Sequence, residues 1–71
     1  MKVKYSPSVD ALVLRFREAD IETSDELQEG IIVDYGLDGR IVSIEILDAS
    51  DLVENPAIVE IEIAREPVSV A

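Results

Sequence analysis

Apolar and polar positions alternate with a period of two at five places along the chain. At the N-terminus, Val3 and Tyr5 alternate with Lys2 and Lys4, the pattern of a half-buried strand. Ser6-Pro7-Ser8-Val9-Asp10 interrupts it. Pro7 fixes φ and lacks an N–H, and its serine neighbours suit a turn. Residues 11–17 then carry Leu12, Leu14 and Phe16 on one side. Pairing Tyr5 with Leu12 sets Val3 against Leu14 and sends Lys2, Lys4, Val13 and Arg15 to the opposite face.

The strongest signal spans residues 30–47. Ile31-Ile32-Val33-Asp34-Tyr35 and Ile41-Val42-Ser43-Ile44-Glu45-Ile46 are rich in the β-branched residues that pack well on a pleated surface. Asp38-Gly39 between them suits a type I′ turn, which pairs Val33 with Ile44 and Tyr35 with Val42. A loop of residues 36–39 instead pairs Val33 with Val42. A shift of two leaves every side chain on its own face. In both registers one face holds Ile31, Val33, Tyr35, Val42, Ile44 and Ile46. The other is mixed, with Ile32, Asp34, Ile41, Ser43, Glu45 and Leu47.

The remaining segments are less regular. Residues 18–29 contain acidic side chains and no basic one, anchored by Ile21 and Leu27. They read as an irregular excursion, extended near residues 21–23 and closing on a Glu29-Gly30 turn. A short helix capped by Thr23 or Ser24 is the rival. After Leu47, Ser50 is a candidate N-cap with Asp51 beside it at the positive helix end. Pro56 disfavours a helical Asn55. One short helix near residues 50–55 follows, with Leu52 and Val53 set against the sheet. In residues 57–64, Val59, Ile61 and Ile63 alternate with Glu60 and Glu62, the pattern of a C-terminal strand. A helix starting at Asn55-Pro56 competes with it. Residues 67–71 read as a tail.

Length and charge narrow this picture. Seventy-one residues make a single domain, 1–71, near the lower end of what folds alone. No cysteine is present to staple it. Self-association is the remaining common route to stability, so a homodimer through the C-terminal apolar strand is expected. Sixteen acidic residues against six basic give a net charge of −10. That argues against nonspecific nucleic-acid binding, which needs Lys and Arg to neutralise phosphates. It favours solubility and admits a basic protein partner. No apolar run has the length of a membrane span, and the charged N-terminus is followed by no apolar leader core. A cytoplasmic protein is expected.

Chemistry is sparse. Without histidine or cysteine, Ser–His and Cys–His machinery is excluded. Gly36-Leu37-Asp38-Gly39 is a hairpin turn and not a phosphate cradle. No catalytic residue and no cofactor is expected. Carboxylates remain as hard oxygen donors: Asp34 and Glu45 on the mixed hairpin face, with Asp48 and Asp51 after it. These four are the only metal-ligand candidates, and their spacing is not that of an EF-hand. A buried Glu45 needs a basic partner, Arg15 or Arg17; an exposed one is the polar half of an alternating strand.

Four stretches taken together resemble domain-of-unknown-function family 2283, a family of small prokaryotic proteins. They are Met1-Lys-Val-Lys-Tyr5, Val9-Asp-Ala-Leu-Val-Leu-Arg-Phe16, Glu29-Gly-Ile-Ile-Val-Asp-Tyr35 and Asp38-Gly-Arg-Ile-Val-Ser-Ile-Glu-Ile-Leu-Asp-Ala-Ser50. The last is the most distinctive. Val13 stands where an aromatic commonly follows the leucine of the second stretch. The resemblance implies no activity and no catalytic residue. Members occur beside genes for small toxin-like proteins, so it implies an antitoxin or partner-binding role. The expectation is therefore an α+β or mainly β domain with an antiparallel sheet of two hairpins. Its expected core is Val3, Tyr5, Leu12, Leu14, Phe16, Val33, Tyr35, Val42, Ile44 and Ile46. Its expected role is a non-enzymatic interaction module, with a carboxylate-based ion or small-ligand binder as the alternative.

Overall fold

The structure is a computed structural model and describes residues 1–67. Five strands, β1 (Lys2–Ser6), β2 (Ala11–Arg15), β3 (Thr23–Gln28), β4 (Ile31–Tyr35) and β5 (Ile41–Ile46), precede one short helix, α1 (Ala49–Leu52). They form a single antiparallel sheet in the order β1-β2-β5-β4-β3. β3, β4 and β5 are joined by tight loops, while β2 lies beside β5 instead of beside β3. That is a Greek-key order, closed by the crossing segment 16–22.

The first hairpin has the expected register, Val3 opposite Leu14 and Tyr5 opposite Leu12. In the central hairpin Val33 lies opposite Ile44, but a bulge after Asp34 sets Tyr35 against Ile41. The type I′ expectation does not hold. The loop covers residues 36–40, closed by Gly39 N–H to Gly36 O at 3.0 Å and Gly36 N–H to Arg40 O at 2.9 Å. Only Gly39 has positive φ within it, at 80°. Arg17 explains the difference. Its guanidinium bonds Asp38 Oδ1 at 2.7 Å and the Arg40 carbonyl at 3.2 Å, and Asp38 Oδ1 also accepts the Arg40 N–H at 3.0 Å. With its carboxylate held by these two donors, Asp38 lies inside the wider loop and not at the tip of a two-residue turn.

Residues 23–28, expected as part of an irregular excursion, are instead the edge strand β3. Nothing in Thr-Ser-Asp-Glu-Leu-Gln favours a strand, and every residue of it is exposed. The free edge of β4 supplies the pairing, with Asp25 opposite Val33, Ser24 opposite Asp34 and a bulge at Leu27. The Glu29-Gly30 turn is as expected, with φ of 84° at Gly30. Conversely, no strand forms in the described part of residues 57–66. Alternation there supplies a face, but the segment pairs with neither edge of its own sheet. From Val68 onward the expected tail lies outside the described residues.

Helix α1 starts one residue before the expected site. Its N-cap is Asp48 in a left-handed conformation, with no side-chain cap, and Ser50 lies inside the helix. Ser50 is diverted because Asp10 takes its N–H at 3.1 Å and its hydroxyl at 2.5 Å. The helix buries Ala49, whereas Leu52 is 54% exposed. The core is small: Leu12, Val33, Val42 and Ala49 are its buried apolar residues. Val3, Tyr5, Leu14, Tyr35, Ile44 and Ile46 are only half-buried, as befits a one-layer sheet. Phe16, expected inside, is 41% exposed because it lies just past the end of β2.

Candidate functional site

The strand registers place one polar residue from each strand in a row across the sheet: Lys2, Arg15, Ser43, Asp34 and Ser24. Period-two alternation puts this row on the face opposite Val3, Leu14, Ile44 and Val33. At its centre Asp34 and Ser43 are each only 2% exposed. A carboxylate so enclosed needs donors. Ser24 Oγ donates to Oδ1 at 2.6 Å from β3, and Ser43 Oγ to Oδ2 at 2.7 Å from β5. Asp34 thereby joins three strands.

Glu45 lies in the neighbouring row, between Val13 and Ile32, with its carboxyl within hydrogen-bonding reach of Asp34. Burial pushes the Asp34 carboxyl up, but Ser24, Ser43 and Glu45 as donors and the Arg15 charge outweigh it, and the net shift is down. Glu45 moves the other way, raised by its hydrogen bond to Asp34, then by burial and by the Asp34 charge. Of the two carboxyls, Glu45 is therefore the one whose protonated form its surroundings favour. The partner of Glu45 is thus another acid, neither Arg15 nor Arg17. Arg15 instead donates through Nη2 to the Ala19 carbonyl at 2.9 Å, and its Nε lies 3.5 Å from Glu18. That Nε is buried without a hydrogen bond. Arg17 belongs to the Asp38 loop.

A second polar node joins the two ends of the fold. Asp10, left-handed at φ 51°, takes the Tyr5 hydroxyl at 2.7 Å together with the Ser50 side chain, and its own carbonyl accepts the Ala49 N–H at 2.9 Å. Hydrogen bonds from Ser50 and then Tyr5 lower the Asp10 carboxyl, and the same bond raises the Tyr5 phenol. The first hairpin is clasped to α1 by this one residue, through its side chain and its carbonyl. Asp38 is lowered in the same manner, first by the Arg40 N–H and then by Arg17.

The four candidate ligands fall into two separate pairs, Asp34 with Glu45 on the sheet and Asp48 with Asp51 at the helix. Asp48 and Asp51 lie at the start of α1, lining a shallow depression with Glu29, Gly30, Leu47 and Leu52. Among the described residues, no three acidic side chains gather closely enough to hold a metal ion. The Asp34 oxygens already serve two serine hydroxyls. Sequence reasoning found the Asp34–Glu45 face but missed Ser24, because β3 was not foreseen, and missed Asp10. The only signal for Asp10 was an aspartate ending the Ser-Pro-Ser turn, a place where aspartate tolerates the left-handed region.

The family model described as Protein of unknown function (DUF2283) matches residues 2–50. The chain belongs to this family. The matched region takes in all five strands and the start of α1. The DUF2283 segment thus includes both polar nodes in full, since Ser24, Asp34, Ser43, Glu45, Tyr5, Asp10 and Ser50 all fall inside it. The exposed residues that follow α1 lie outside it. No curated protein and no solved structure matches the chain. Among the described residues, no helix is long and apolar enough to cross a membrane.

Proposed function

We propose that this DUF2283 protein is a non-enzymatic interaction module that binds a basic protein partner along β3, an antitoxin-like role. The observation that carries the reading is the unpaired acidic edge of the sheet. Among the described residues β3 pairs only with β4, and its other side presents free backbone donors and acceptors, a template for strand addition. Asp25 and Glu26 lie on that strand, with Asp20, Glu22 and Glu29 exposed on either side and no basic residue between residues 18 and 29. Backbone pairing supplies affinity in such a mode, and the acidic side chains select a cationic strand.

The test is capture of partners from the native organism at low salt on two baits, the full chain and Asp25→Lys/Glu26→Lys. A small basic protein held by the first bait, lost from the second and released by salt is the expected result. Equal capture by both baits, or retention at high salt, overturns the reading.

A further inference from the structure

The segment after α1 has no place in its own sheet. Val59, Ile61 and Ile63 are 54%, 70% and 84% exposed, although they alternate regularly with Glu60 and Glu62. Residues 57–67 are exposed throughout and form neither helix nor strand. At the opposite edge of the sheet from β3, β1 is paired, among the described residues, only with β2. Its Lys2 and Lys4 are exposed on one face, and Val3 and Tyr5 are half-buried on the other.

These two strips are complementary in both charge and hydropathy. Antiparallel pairing of Ile61 with Val3 sets Val59 against Tyr5 and Ile63 against Met1, and it sets Glu62 against Lys2 and Glu60 against Lys4. The apolar row Val3-Leu14-Ile44-Val33 then gains Ile61, and the row Tyr5-Leu12-Ile46-Ile31 gains Val59. A slip of one residue would set glutamates on the apolar face and isoleucines beside the lysines, and a slip of two would keep the faces but leave one of the two Glu–Lys pairs, so the register is specified. We infer that the arm at residues 59–63 adds as a sixth strand to β1 of a second copy of this chain, reciprocally, giving a closed two-fold dimer. The occupant is a second copy because the arm of the single chain leaves its own β1 edge open. The exchange would also extend a core that has, among the described residues, only four buried apolar side chains. It uses the edge opposite β3 and stands independently of the partner proposed there.

Sedimentation equilibrium on the full chain should give twice the 7.8 kDa chain mass. Glu60→Lys/Glu62→Lys should weaken the dimer about 10-fold or more, since opposed charge pairs across strands become like-charge pairs. It does so although the chain becomes less acidic, which would strengthen association if general repulsion governed it. Adding Lys2→Glu/Lys4→Glu in the same chain should restore the dimer to within about 3-fold, as the opposed pairs are re-formed. Two further variants of the otherwise cysteine-free chain, Val3→Cys/Ile61→Cys and Lys2→Cys/Glu62→Cys, should yield an oxidised covalent dimer in at least one case. Neighbouring antiparallel pairs alternate between close and wide spacing, so one of the two suits a disulfide. A full chain that sediments as a monomer, charge reversal without effect, failure of the combined variant to restore the dimer, or disulfides that close within one chain would each overturn the inference.

Discussion

Replacing Asp34 by alanine tests whether this side chain joins three strands. Its carboxylate accepts the Ser43 hydroxyl at 2.7 Å inside the sheet and the Ser24 hydroxyl at 2.6 Å on exposed β3. Ser24 regains water when Asp34 is removed, so its loss is small. Ser43, 2% exposed, does not. A hydrogen bond to a charged group contributes about 1.5–3 kcal/mol, and a stranded buried donor adds to the loss. Against this stands relief of the Glu45 carboxyl, but the net lowering of Asp34 shows that its surroundings favour the ionised form. Asp34→Ala should therefore cost about 3 kcal/mol. A domain of this length has about 4–10 kcal/mol in total. With a urea slope near 1 kcal/mol/M, the midpoint at neutral pH should fall by about 3 M. Asp34→Asn retains one acceptor oxygen and should cost only about 1 kcal/mol. Ser43→Ala combined with Asp34→Ala should cost less than the two separately, because they remove the same bond. A midpoint shift below about 0.5 M for Asp34→Ala, or strict additivity with Ser43→Ala, would refute the account.

Other outcomes follow from the same structure. Glu45→Gln should grow more stable relative to the natural chain as pH rises. The raised Glu45 carboxyl favours the folded state below about pH 4.3, its usual value, and that contribution fades as pH climbs through the folded value; urea midpoints between pH 4 and 8 would measure it. Asp10 has the opposite sign. Its lowered carboxyl stabilises the fold above about pH 3.9 and ceases to do so on acidification through its folded value, so Asp10→Asn should flatten the acid limb of the stability profile. Gly30→Ala should cost more than Gly39→Ala by thermal melting. Both carry about 1–2 kcal/mol of left-handed strain, but the new Cβ at Gly30 meets the Leu47 carbonyl oxygen at 3.3 Å while Gly39 faces open space. In Gly36→Ala the added Cβ would sit 2.9 Å from Arg17 Nη2 and 3.3 Å from Cγ2 of buried Val42, so the Arg17–Asp38 pair should open, visible as a shift of the Arg17 side-chain resonance.

Local pattern determined four strands of this protein and the register of its first hairpin. Each of those strands carries the information for its own facing, because a period of two fixes both sides at once and survives a shift of two residues. The Glu29-Gly30 turn was legible as well, since its glycine meets a local backbone demand. Tertiary structure decided the rest. β3 exists because β4 had an edge to fill, and no alternation in Thr-Ser-Asp-Glu-Leu-Gln announces it. Residues 57–64 have the alternation of a strand and remain unpaired, because alternation provides a face and only a neighbour provides hydrogen bonds. Asp34 was visible as an acid on a mixed face. Its burial, its serine donors and its coupling to Glu45 depend on residues 9, 10 and 11 positions away meeting across strands, which spacing alone does not convey.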